Sequence, residues 1–219
     1  YYESIARTWE RAAFIRARPI AGDLALGTSL LGDIQPFIWR RTLDYTVMDD
    51  MKSMLRRPVQ TSGWQGYNLK TGKNGIRQIE FFTHVLQLVA GGRIPAIRQP
   101  RTLLALQALA DEEWISQDQA RNLAVLYHAI RRVEHRLQML SDAQTHSLPR
   151  SEAELTQFVQ FFGHDSNDSF LAALANVMQA IGANTTHKLL EDADQTAISV
   201  RTDGNSLLLD DTEQLMQWL

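Results

Sequence analysis

Apolar residues recur at three- and four-residue spacing through most of this chain, which predicts one helix after another. From Tyr2 to Arg18, Ile5, Trp9, Ala12, Ala13 and Phe14 or Ile15 fall on one stripe, and Pro19 forbids continuation. Gly22-Asp23 can cap a second helix on Leu24, Leu26, Leu30 and Leu31, which Pro36 is expected to break or kink before Phe37-Ile38-Trp39. A third helix is expected over about 44–57 on Val47, Met48, Met51, Met54 and Leu55, with Pro58 as its stop.

Between 58 and 75 the periodicity fails, and Gly63, Gly66, Gly72, Asn74 and Gly75 punctuate the interval. Irregular stretches this long inside a domain usually carry function or stay disordered. Gly66 to Thr71 is a candidate short strand, but a lone strand needs a partner. From Ile76 or Arg77 the helical pattern returns on Ile79, Phe82, Val85, Leu86 and Val89, and Gly91-Gly92 predict a left-handed exit. Pro95 and Pro100 bound a linker before a helix on Leu103, Leu104, Leu106 and Leu109.

Ser116-Gln117-Asp118-Gln119 is a capping box opening a helix of about six turns on Leu123, Tyr127, Ile130, Leu137 and Leu140. Ser151 to Glu154 is another, opening a helix on Leu155, Phe158, Val159 and Phe162 that ends at Gly163. A last helix runs from Asp168 to about Glu191 on Phe170, Leu171, Leu174, Val177, Met178 and Ile181. Beyond it the signal fades into a turn at Thr202 to Asn205 and an apolar run too short to classify. The expected fold class is mainly α, with at most one or two short strands and no solenoid repeat.

Composition narrows the function without naming it. The 219 residues, 44% hydrophobic and 21% charged, describe a soluble globular chain of one or two domains. Lys and Arg total 22 against 25 Asp and Glu, and a net charge of −3 argues against general nucleic-acid binding. The absence of cysteine excludes disulfides, thiolate zinc sites and cysteine nucleophiles, and fits a cytoplasmic protein. No apolar run approaches the ~20 residues that span a bilayer, so no membrane role is expected, and Tyr1-Tyr2-Glu3 does not open like a signal peptide.

Candidate chemistry is cationic. The six histidines lack the i, i+4 spacing of a helical metal motif, and no metal ligands are assigned. Arg131-Arg132 with His135 and Arg136, around Glu134, read first as a solvated helix face paired at i, i+3, with an anion site as the alternative. Arg7, Arg11 and Arg18 recur along the first helix with Arg16 nearby, and guanidinium forks match phosphate oxygens. Lys70, Lys73 and Arg77 surround a glycine-rich turn that feeds a helix N-terminus, where free amides, the helix dipole and cations would form an anion pocket. The alternative is an ordinary glycine-rich loop with solubilising lysines.

At this loop the chain resembles a known family. Lys70-Thr71-Gly72-Lys73-Asn74-Gly75-Ile76-Arg77-Gln78-Ile79-Glu80-Phe81 is similar to the K-x-G-x-G-G-I-R-E-I-E-F segment of glutamine synthetase adenylyltransferase/adenylyl-removing enzymes. Tyr1-Tyr2, Trp9-Glu10-Arg11-Ala12 and Arg16-Ala17-Arg18 resemble its first basic helix, and Pro36 to Arg41 with Leu43-Asp44-Tyr45 its P-F-x-x-R-R stretch. Arg131 to Met139, followed by Asp142 to Pro149, resembles its R-R-x-E-N-x-L-Q-x-x-x-D-x-Q-T-x-x-L-P segment, an ending typical of the N-terminal, adenylyl-removing half.

The resemblance implies phosphorolysis of adenylyl-tyrosine on glutamine synthetase to ADP, with PII signal protein as regulator, phosphate and ATP or ADP as substrates or products, and Mg2+ in the full-length enzyme. The family's metal-binding carboxylate motifs do not occur in this sequence, so they are expected upstream of residue 1 and the chain alone is expected not to turn over. Carried over residue by residue, Arg11, Arg16, Arg18, Lys70 and Arg77 become phosphate contacts, and Glu80 a carboxylate that orients arginines; the alternative is that Glu80 and Arg77 only brace the helix entry. Arg16 stands where lysine is usual, Asn74 where glycine is usual and Gln78 where glutamate is usual. The implied organisation is the end of a nucleotidyltransferase domain over 1–75, a helical bundle over 76–191, and a tail or linker over 192–219. The other reading is a helical interaction module that docks PII or relays between two catalytic halves.

Overall fold

The computed structural model describes residues 8–41 and 63–191. Seven α-helices and one 3-10 turn account for the regular structure there: α1 (Thr8–Phe14), α2 (Leu24–Ile38), α3 (Ile76–Ala90), the 3-10 turn (Pro95–Ile97), α4 (Thr102–Asp111), α5 (Gln117–Ser141), α6 (Glu152–Phe162) and α7 (Asn167–Glu191). The helix expected over 44–57 and the tail after 191 lie outside the described residues. No strand forms among the described residues, and the candidate strand at 66–71 is instead a run of turns with a single antiparallel bridge between Asn68 and Ser147.

The chain forms two compact units, one of Tyr1–Arg57 with Glu80–Ala120, the other of Pro58–Ile79 with Arg121–Leu219. In the first, α1 packs on α2, with the Phe14 and Phe37 rings edge to face at 6.4 Å. Helix α1 stops at Phe14 rather than Arg18, so Arg16 and Arg18 lie on the segment that leaves it. Ala17 N–H reaches only to the Phe14 carbonyl, a tightened last turn. Pro19 bars any resumption, since it disfavours helical backbone at Arg18 and cannot donate to Ile15.

Helix α2 is capped as expected, the Asp23 carboxylate accepting the Ala25 and Leu26 N–H groups at 3.0 Å. It runs through Pro36 instead of breaking there. The bond lost is to the carbonyl of Gly32, an exposed residue, while buried Ile34, Phe37 and Ile38 hold the last turn against the core.

Helix α3 buries side chains around most of its circumference from Phe81 to Leu88. Buried Gln87 donates from Nε2 to the Ile97 and Gln99 carbonyls at 2.7 and 2.8 Å, tying down the linker between the prolines. Gly91 and Gly92 do not adopt the expected left-handed φ. They are required by close approach: a Cβ on Gly91 would lie 2.5 Å from the Trp39 ring, and one on Gly92 2.1 Å from the Arg40 carbonyl oxygen. Gly92→Ala is therefore expected to destabilise this unit by about 2 kcal/mol. A urea midpoint for the variant equal to that of the unsubstituted chain would show that this approach relaxes freely.

In the second unit α6 packs on α7 around Phe158, Phe162 and Phe170, whose centroids lie 5.5–5.9 Å apart. Ser151 caps α6 by accepting the Glu154 N–H, and Gly163 ends it with φ 97°, both as the pattern requires. The buried stripe of α7 is Phe170, Leu174, Val177, Met178 and Ile181.

Candidate functional site

In the first unit the segment leaving α1 brings Arg16 to Glu80 of α3. Arg16 Nη2 donates to Glu80 Oε1 at 3.1 Å and to Thr102 Oγ1 at the start of α4. The Arg16 side chain is 40% exposed and that of Glu80 only 15%, so a sheltered carboxylate and hydroxyl hold one corner of a partly exposed arginine. This is the geometry by which a carboxylate orients an arginine for an oxyanion.

His84, one turn beyond Glu80, has its pKa pulled down to about 4. Burial is the main cause and the Arg16 charge the second, opposed by the Glu80 carboxylate. The imidazole is therefore neutral at pH 7 and adds no charge beside Arg16.

Arg11 is buried and lies over the Phe37 ring at 5.3 Å, where its cation braces α1 against α2. Arg18 is exposed. Arg7 lies outside the described residues, and the other three arginines of this group occupy three environments, because of them only Arg11 lies on the helix itself.

In the second unit the glycine-rich loop has the predicted shape but lacks the predicted free amides. Asn68 Oδ1 accepts from the Lys70 and Thr71 N–H groups, and its carbonyl accepts from Gly72 at 2.8 Å. Asn74 N–H donates to Gln78 Oε1, and the Ile76, Arg77 and Gln78 N–H groups donate to the Leu69, Lys70 and Gly75 carbonyls at 2.9–3.0 Å. The helix N-terminus is thus capped by its own loop, so an anion cradle of free amides is not formed there. Gly72 and Gly75 permit the fold-back, since a Cβ on either would lie 2.5 Å or less from the Asn68 or Leu69 carbonyl oxygen.

Asn74 takes φ 60°, a conformation asparagine tolerates where glycine is commoner. Gln78 also donates from Nε2 to Thr185 Oγ1 of α7 at 2.8 Å, so its role here is to brace. The Tyr67 hydroxyl donates to the Lys73 carbonyl, and burial pushes its phenol pKa up, which keeps the proton in place. The cations of this loop are a partly buried Lys70 and an exposed Lys73 and Arg77.

The loop is paired with the segment after α5: Leu69 N–H donates to the His146 carbonyl at 2.8 Å and Leu148 N–H to the Tyr67 carbonyl at 2.9 Å. His146 in turn places Nδ1 2.6 Å from Glu134 Oε1, while Arg131 donates to Glu134 Oε2 at 2.6 Å. The Arg131–Glu134 pair is the expected i, i+3 contact and Arg132 and His135 are solvated, but Glu134 itself is wholly buried, its carboxylate beneath the helix face.

Sequence reasoning missed Thr102 and His84 beside Arg16, and His146 beside Glu134. Thr102 lies 86 residues from Arg16, and nothing local marks a pair at that separation. Among the described residues no group of three or more His, Cys, Asp or Glu side chains comes together, and no step is assigned through a metal ion. No helix among the described residues is long and apolar enough to cross a membrane.

The model of the GlnD PII-uridylyltransferase family matches residues 49–189. Three bacterial relatives, each named bifunctional glutamine synthetase adenylyltransferase/adenylyl-removing enzyme, bear out the resemblance of the motifs. That of Xanthobacter autotrophicus is 45% identical over 90% of this chain and 20% of its own length, and that of Rhodopseudomonas palustris BisB5 49% over 78% and 18%. That of Bradyrhizobium diazoefficiens is 44% identical over 90% and 20%. The chain spans about one fifth of the length of these relatives. With a match over more than half of its residues, this chain belongs to the GlnD PII-uridylyltransferase family, and within it is homologous to the glutamine synthetase adenylyltransferase/adenylyl-removing enzymes.

Proposed function

We propose that this chain serves an enzyme that controls glutamine synthetase by reversible adenylylation, and that it contributes to the half that removes AMP by phosphorolysis, yielding ADP and the free tyrosine. The observation that carries the reading is the Arg16–Glu80–Thr102 contact, which links two segments singled out by the family resemblance, Arg16-Ala17-Arg18 and Ile79-Glu80-Phe81. The names of the relatives supply the reaction class.

In this reading Arg16 binds phosphate oxygens with the donors that Glu80 and Thr102 leave unused, and Glu80 is a positioning residue. Arg18, exposed on the same segment, adds charge. Lys70 and Arg77 are separate phosphate contacts, through side chains rather than loop amides. Arg11 acts through packing. The chain supplies oxyanion binding only, and the metal-binding carboxylates belong to sequence upstream of residue 1.

The test uses the protein extended to include that upstream sequence, with phosphate-dependent ADP release from adenylylated glutamine synthetase as readout. Arg16→Ala is expected to lower kcat/KM about 100-fold, a loss of about 2.7 kcal/mol in transition-state stabilisation. Lys70→Ala and Arg77→Ala are each expected to lower it about tenfold. Glu80→Gln should raise KM for phosphate more than it lowers kcat, as suits a residue that only orients Arg16. Full turnover in all four variants would end the proposal. If turnover survived while the response to PII was lost, the helices would be an interaction module instead.

A further inference from the structure

One face of α5 carries an accumulation of positive charge that the proposed phosphorolysis does not use. His128, Arg131, Arg132, His135 and Arg136 recur at i, i+3, i+4, i+7 and i+8, and with Met139 they line a recess of about 480 Å3. All six residues belong to one helix, so the recess is shallow and open to solvent. Between Asp118 and Asp142 the only carboxylate in the sequence is Glu134. It is wholly buried and both its oxygens are already bonded, so no exposed carboxylate on these turns neutralises the recess. Like charges at i and i+4 repel, so this face is a poor choice for stability or solubility alone.

Two of the guanidinium groups are also held in place from behind. Arg131 is fixed by Glu134 through one Nη1 contact at 2.6 Å. Arg136 donates from Nη1 to the Phe162 carbonyl at 2.6 Å and lies over the Phe162 ring at 4.5 Å. Each fork has further N–H donors, and a fork already immobilised loses less entropy on binding an oxyanion. Arg132 and His135 are exposed beside them and free to close on a ligand.

We propose that this face of α5 is an oxyanion site for a small phosphate-bearing ligand, held by Arg131 and Arg136 as fixed forks and by Arg132 with the two histidines as adaptable donors. The source of the phosphate is either an inorganic anion such as pyrophosphate or the polyphosphate of a nucleotide, with the exposed Met139 beside a base in the second case.

The test is calorimetric titration of the 219-residue chain with pyrophosphate, ADP and adenosine at fixed ionic strength, with the imidazole resonances of His128 and His135 as local reporters. Pyrophosphate and ADP are expected to saturate and to shift both imidazoles, while adenosine does neither. Tighter binding of ADP identifies a nucleotide, and tighter binding of pyrophosphate an inorganic anion. Arg132→Ala, which removes an exposed side chain, is expected to weaken binding at least tenfold, and His135→Ala severalfold. Arg93→Ala, an exposed arginine elsewhere, should leave it unchanged.

Unshifted imidazoles at saturation, or an undiminished affinity in Arg132→Ala with its helical circular dichroism intact, would overturn the proposal. So would tighter binding of an octaglutamate peptide than of either phosphate probe, which would mark the face as a docking surface for an acidic protein segment. Because binding is read without turnover, the result stands apart from that of the ADP-release experiment.

Discussion

Glu134→Ala is expected to destabilise the second unit by about 3 kcal/mol, the lower end of the range for breaking a buried ion pair. The carboxylate is wholly buried, and each oxygen has a partner at 2.6 Å, Arg131 on one side and His146 on the other. Removing it leaves a cavity and two donors facing each other. The side chains of Arg131 and His146 are 34% and 22% exposed, so both can recover part of their hydration, which keeps the loss from the top of the range.

Glu134→Gln keeps the volume and one acceptor but removes the charge, and about 1–2 kcal/mol is expected. Urea unfolding at unchanged m-value measures both. The effect should also be local in a specified way. His146 is fixed to Glu134 through its ring and to Leu69 through its carbonyl, so hydrogen exchange at the Leu69 amide should quicken in Glu134→Ala beyond the global change. An alanine variant within about 0.5 kcal/mol of the unsubstituted chain would mean that the triad contributes nothing net to stability.

The second large effect is a pH dependence centred on His84. Its pKa in the fold is about 4, against about 6.5 for an unfolded histidine. Below pH 6.5 the unfolded chain takes up a proton that the folded chain refuses, so the unfolded state binds more protons and stability falls as pH falls. The loss spans pH 6.5 to about 4 and totals about 3 kcal/mol, and above pH 6.5 this group adds no further dependence. Arg16 and Glu80 are the charged neighbours, and the Arg16 cation is one of the two causes of the low value.

His84→Gln should flatten the stability profile over that window by this amount, measured as the difference from the unsubstituted chain so that carboxylate titrations cancel. Arg16→Ala should recover a smaller part, because burial is the larger cause. Hydrogen exchange of the α3 and α4 amides at pH 7 and pH 4.5 reads the change. Parallel profiles for the unsubstituted chain and His84→Gln would exclude the assignment.

Much of the helical architecture can be read along the chain. The capping residues Asp23, Ser116 and Ser151, the stop at Gly163 and the stripes of α5 to α7 all depend on neighbours within one or two turns, which sequence spacing reports directly. Errors arose where a local signal had more than one cause. Gly91-Gly92 suggested a left-handed exit, whereas the real constraint is the approach of Trp39 and Arg40 from elsewhere in the unit. The glycine-rich turn suggested free amides, but the Asn68 carboxamide and the Leu69, Lys70 and Gly75 carbonyls satisfy them, and that closure depends on how tightly the loop folds back.

The candidate site was legible as a list of residue types and not as an arrangement. Arg11, Arg16 and Arg18 looked equivalent until the early end of α1 assigned one to an aromatic ring, one to Glu80 and one to solvent. The i, i+3 pair at Glu134 was legible, but the burial of its carboxylate under His146, 12 residues away, was not.

What the sequence determined by itself was the helical class, the caps, the polar loop and the family resemblance, because each rests on short-range periodicity or on ordered local motifs. What only the tertiary structure decided was which charges are buried, which are paired and which amides are already spent. Those depend on contacts between segments tens of residues apart, where burial makes an ion pair or a hydrogen bond matter and sequence separation conceals it.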